Sequence, residues 1–141
     1  MPITLAPDAR EFLHAHELAT FSTVDRDNNA NGAVVYYYPA PEGYIYILTK
    51  GETQKAHDAL HNPHIALTIH DTETLQTLQL QGDSAIESDA DKKHEVYTKL
   101  VHEHEYGKDK SMPPVTKLKH GAFMVLRISP TQAKFRDYKK N

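Results

Sequence analysis

The chain has 141 residues, 39% hydrophobic and 25% charged, which sets the expectation of one compact domain over 1–141. A net charge of -3 argues against a nucleic-acid-binding surface, no apolar run is long enough to span a membrane, and Met1-Pro2-Ile3-Thr4 lacks the parts of a signal peptide, so a cytoplasmic protein is expected. The lack of cysteine removes disulfides, thiolate metal sites and thiol nucleophiles.

Pro7 to His16 reads as a short helix with Ala9, Phe12 and Leu13 on one face. Leu18 to Val24 and Ala33 to Tyr38 read as two strands joined by a polar turn whose Asn31-Gly32 end suits a hairpin. Pro39 to Gly43 turns the chain into a third strand, Tyr44 to Thr49. A charged turn then leads to a short helix carrying Ala56, Ala59 and Leu60, stopped by Asn62-Pro63. Ile65, Leu67 and Ile69 alternate in a fourth strand. Leu75 to Ile86 reads as a long fifth strand, in which Gly82 signals a bulge or a close backbone approach. Ser88 is read as the cap of a helix reaching about Glu105, with Val96, Tyr97, Leu100 and Val101 as its buried stripe. Tyr106 to Lys119 is polar, holds Pro113-Pro114 and reads as a solvated loop. Ala122 to Ile128 is a strand that Pro130 breaks, and Gln132 to Tyr138 is the last. Six or seven strands with helices at their edges predict a mainly β fold, a small antiparallel barrel.

The stretch from Thr49 to Ala56 carries the clearest chemistry. A strand delivers Thr49 and Lys50 to a helix start bearing Thr53, Gln54 and Lys55. Free N–H groups at a helix start carry partial positive charge, and hydroxyl and ammonium groups beside them make an anion pocket. The plain alternative is a helix cap on a surface loop. The six glycines are scattered and draw no dinucleotide or nucleotide phosphate loop. Tyr36, Tyr37 and Tyr38 alternate across one strand, as an aromatic wall beside a ligand or as core plus subunit face. Ten histidines include His57 and His61 four apart, but no three or four are spaced as a zinc set, and no metal site is expected. No serine sits in a nucleophile elbow.

In order and spacing, the Tyr-Ile-Leu-Thr strand, the Thr53-Gln54-Lys55-Ala56 helix start, the Asn62-Pro63 stop, the long strand closing on Gly82 and the Ile128-Ser129-Pro130 hairpin resemble the pyridoxamine 5′-phosphate oxidase-like FMN-binding split barrels. The resemblance runs from about Ala9 to Tyr138. It implies a split barrel and a homodimer with two FMN sites between subunits. It places the FMN phosphate at Thr49, Thr53, Gln54 and Lys55, with Lys50 near the same turn as a compensating charge, and the flavin ring along Val34, Val35 and Tyr36, with Thr77 where the oxidases carry a glutamine. It also implies an oxidoreductase of unnamed substrate. The oxidases carry Ser-Arg-Lys where this chain has Thr53-Gln54-Lys55, and an arginine and a lysine where it has Gly32 and Tyr37; with no tryptophan either, pyridoxine phosphate oxidation is not expected. Related split barrels leave two alternatives, a haem- or deazaflavin-binding protein and a non-catalytic dimeric flavin-binding module.

Overall fold

The computed structural model describes residues 2–50, 53–102 and 123–140. The loop read over Tyr106 to Lys119 lies outside the described residues, as do Gly51 and Glu52. The elements run α1 (Pro7–Ala15), β1 (Leu18–Val24), β2 (Ala30–Pro39), β3 (Ile45–Lys50), α2 (Gln54–His61), β4 (His64–Asp71), β5 (Gln76–Ile86), α3 (Ala90–Tyr97), a π-helical turn (Thr98–His102) and β6 (Phe123–Asp137).

The described strands close an antiparallel barrel in the order β1-β2-β3-β6-β5-β4. Closure follows because β1 pairs with both β2 and β4. Alternation does the sorting. Phe21, Val35, Ile47, Leu67, Leu78 and Leu126 point inward and form a single core. Their burial removes apolar area from water, roughly 1.5–3 kcal/mol for each large side chain before entropy is counted.

Helices cover what the strands leave open. At one end α1 inserts Phe12 and Leu13 into the core, and the Tyr37 hydroxyl donates to the Leu13 carbonyl at 2.7 Å. At the other end α2 adds Ala59. On the outside of β2, β3 and β6, the residues Val96, Leu100 and Val101 pack on Tyr36, Tyr46, Leu48 and Val125. The tyrosine triple is thus divided, Tyr37 in the inner cluster and Tyr36 and Tyr38 in the outer one.

Several elements differ from the sequence reading. Asn31 and Gly32 lie within β2, and the turn is Asp25 to Asn29 instead, with Asn28 at φ 65°. The Asp25 carboxylate accepts from the Asp27 and Asn29 amides, which fixes the turn earlier. Leu75 sits at φ 56° in the turn before β5. Asp89, not Ser88, caps α3, accepting from the Lys92 amide at 2.9 Å. The two last strands are one. Pro130 does not break β6, because Gln132 pairs with Gln81 and Pro130 with Gly82, so Thr131 is the extra residue of a bulge. At a bulge the missing proline N–H leaves no gap in the ladder.

Candidate functional site

The site is built where β3 hands over to α2. Thr49 is 1% exposed, and its Oγ1 lies 3.0 Å from Thr53 Oγ1. The Thr53 hydroxyl donates to the Lys50 carbonyl at 2.9 Å and accepts from the Ala56 amide at 3.4 Å. A hydroxyl has one hydrogen, so Thr53 gives its only donor to the turn. The two threonines therefore build the helix cap. The donors in front of the helix are the N–H groups of Gln54 and Lys55, which have no acceptor within the helix, and the lysine side chains.

Lys55 is half-buried. Burial pushes its ammonium pKa below the usual lysine value, and among the described residues no carboxylate offsets this. A half-buried cation without a partner at a helix start suits an anion. Gln54 is engaged elsewhere: its Nε2 donates to Asp58 Oδ1 at 2.7 Å.

On β2 the three predicted ring residues play different parts. Val34 is 58% exposed, Val35 faces the core, and Tyr36 lies under the α3 side. The Tyr37 amide donates to the Glu17 carbonyl at 3.1 Å on the β1 side. By alternation Val35 also turns its backbone groups to β1, while Val34 and Tyr36 turn theirs to the β3 side. There the ladder covers only Tyr37 to Pro39. Among the described residues the two strands are unpaired on the N-terminal side of Tyr37, so Val34 lies on an unpaired seam whose other bank, β3, leads into α2. Thr77 is not brought to this group. It lies on β5 between His70 and Arg136, and β5 stands diametrically opposite β2 in the barrel.

Three residues outside the predicted set complete the geometry. Asp58 is 3% exposed on α2 and accepts from the Thr23 hydroxyl at 3.0 Å and the Asn31 amide at 3.2 Å. The Gln54 to Asp58 spacing of four was a local signal for part of this network. Nothing local in the sequence pointed to Thr23 or Asn31. Leu60, placed on the apolar face from the sequence, is 52% exposed, and the acid is buried in its stead. The barrel end under α2 is partly polar, so its buried face takes a carboxylate.

Arg127 lies 3.8 Å from Glu87 and 5.0 Å over the Tyr44 ring. Both ring nitrogens of His16 and Nδ1 of His64 have partners within 2.9 Å. Among the described residues no three His, Asp or Glu side chains are grouped to hold a metal ion, and no helix is long and apolar enough to cross a membrane.

Solved structures share this fold. A conserved hypothetical protein from Mycobacterium tuberculosis superposes with TM-score 0.76 at 19% identity, covering 99% of this chain and 88% of that one. An FAD-binding protein from Mesorhizobium loti gives 0.71 at 13% identity, covering 94% and 92%. HutZ, the haem storage protein of Vibrio cholerae, gives 0.67 at 17% identity, covering 96% and 95%. No curated protein matches the sequence. The family model described as pyridoxamine 5′-phosphate oxidase matches residues 5–137, nearly the whole chain, and the protein belongs to that family of split barrels.

Proposed function

We propose that the protein binds FMN and works as a flavin-dependent oxidoreductase on a substrate other than pyridoxine phosphate. The observation that carries the reading is Lys55, a half-buried ammonium at a helix start with no carboxylate partner among the described residues. A phosphate monoester supplies the missing charge. Its oxygens would take the Gln54 and Lys55 amides and the Lys55 ammonium, with Lys50 near the same turn. Thr49 and Thr53 would hold that turn in shape.

The ring would lie along the seam at Val34, where β2 offers backbone donors and acceptors with the Tyr36 side chain packed behind. Val35 would support it from within the core. Bound FMN would supply one- and two-electron transfer. The chain's own residues would orient the ring, shield one face from water and set its hydrogen bonds. Gly32 has no side chain, and Tyr37 is 3% exposed with its hydroxyl on the Leu13 carbonyl, so neither can serve as the vitamin oxidases' basic groups do.

Family members are generally dimeric, and we extend this to the present chain. A ligand at the β2 seam is too far round the barrel for Thr77 of the same subunit, so a contact from β5 would come from a second copy. Val34 and Leu18, both exposed, flank Thr20 and Tyr36 on one outer face of β1 and β2, which suits such a contact.

The test is the visible spectrum of the purified protein before and after adding excess FMN, then haem. A flavin spectrum with perturbed bands, together with weaker riboflavin binding, is expected. A Soret band without flavin binding would replace this reading with a haem protein, and flavin binding without turnover on any electron acceptor would leave a binding module.

A further inference from the structure

We propose that Asp58 is a positioning residue that fixes the start of α2 relative to the β2 seam, so that one ligand carrying both a phosphate and a ring meets both half-sites at once. The inference rests on the FMN reading above. Asp58 sits one turn into α2 and is 3% exposed. A carboxylate buried this deeply is costly unless its oxygens are hydrogen-bonded. Here Oδ1 accepts from Gln54 Nε2 at 2.7 Å, and Oδ2 accepts from Thr23 Oγ1 at 3.0 Å and Asn31 Nδ2 at 3.2 Å.

The three arms reach three places. Gln54 is the first residue of α2, Thr23 is near the end of β1, and Asn31 is near the start of β2. Asn31 stands three residues before Val34, so one carboxylate joins the helix start to the strand that carries the seam. The rest of the buried face of α2 is Ala56 and Ala59, small side chains that do little to fix the helix's rotation. Directional bonds to a buried charge supply that constraint. The Gln54 bond runs from i to i+4, which draws its amide toward the C-terminal end of the helix and leaves the backbone N–H groups and Lys55 to face an anion.

A ligand bound at two half-sites gains from their being held at the right separation. Loss of Asp58 should therefore weaken FMN more than riboflavin, which lacks the phosphate and uses only the seam. A general loss of stability would weaken both alike. The full chain is titrated with FMN and with riboflavin by flavin fluorescence, with circular dichroism as the check on folding.

Wild type is expected to prefer FMN. Asp58→Asn removes the charge and one acceptor oxygen. It is expected to lower FMN affinity roughly tenfold while riboflavin changes by less than about twofold. Asn31→Ala removes the β2 arm together with that amide's bonds to Asp25 Oδ2 and the Asn29 carbonyl in the exposed turn, and leaves the Asp58 charge and its other two arms in place. It is expected to shift the ratio the same way by less, and it decides the matter if Asp58→Asn does not fold. An unchanged FMN-to-riboflavin ratio in the folded variants overturns the positioning role while leaving the phosphate site intact. A wild type that binds both ligands equally, or neither, removes the phosphate site and this role with it.

Discussion

Two ionisable residues set opposite demands on the chain. Lys55 is held with its pKa lowered by burial. The unfolded chain therefore binds its proton more tightly than the folded one. The penalty is fully present at pH below the lowered value, and stability rises as pH climbs toward the ordinary lysine value. At neutral pH the residue works against folding. Lys55→Met keeps the stem and drops the charge, so it should raise the melting temperature of the ligand-free protein. The same change should weaken FMN by roughly tenfold or more, since a charge-assisted contact is lost. A melting curve and an FMN titration check both halves; a destabilised variant that binds FMN normally would place the phosphate elsewhere.

His16 makes the converse case. Its Nδ1 faces the Phe12 carbonyl at 2.8 Å and its Nε2 faces Asp71 Oδ2 at 2.9 Å. Both partners are acceptors, and only the imidazolium donates from both nitrogens. Burial opposes the proton, but these two bonds outweigh it and the pKa rises above the ordinary 6.5. The hydrogen bond from His16 leads the group that holds the Asp71 carboxyl below its usual value. The histidine's contribution is thus complete below about pH 6.5 and is lost as pH rises through the raised value. Asp71 needs pH above its own range, so the tie between α1 and β4 is strongest in mildly acidic solution. Melting temperatures between about pH 5.5 and about pH 8.5 should fall more steeply for wild type than for His16→Gln. Parallel curves would remove the tie from the stability of the barrel.

The β5–β6 pair shows what an element asks of one position. A Cβ on Gly82 would meet the Ser129 carbonyl oxygen at 2.8 Å and the Pro130 Cα at 3.3 Å. Both are backbone atoms, so neither can swing aside. Gly82→Ala should cost on the order of 1–3 kcal/mol, read as a lower urea midpoint, because the bulge must open. An unchanged midpoint would mean that the ladder slides freely there. The same pair marks where the sequence was legible. Gly82 within an apolar alternation signalled the close approach, because only an absent side chain explains it. Pro130 misled, because a proline ends a ladder only where its N–H is needed, and the extra residue Thr131 is invisible without the partner strand. Alternation in β4 and β5 was legible because each has one face in the core. The handover to α2 was legible as a cap, since Thr53 and Ala56 are local. The buried acid within it was not, since Thr23 and Asn31 approach Asp58 only when the barrel closes.

At the scale of the whole molecule, closure and incompleteness occur together. Every described strand is paired on both sides over part of its length, yet β2 joins β3 only from Tyr37 onward, which leaves the seam before it unpaired among the described residues. An open seam beside exposed Val34 is a weakness in a lone barrel, and a second copy with a ligand between would cover it. If the ligand touches both subunits, binding and dimerisation must be linked, each strengthening the other by the same factor. Apparent FMN affinity should then fall as the protein is diluted through its dimer dissociation range, and saturating FMN should shift sedimentation toward the dimer. A monomer that holds FMN with the same affinity at every concentration would put the whole site within one barrel. In that case Thr77, on the far side from Val34, would have no part in it.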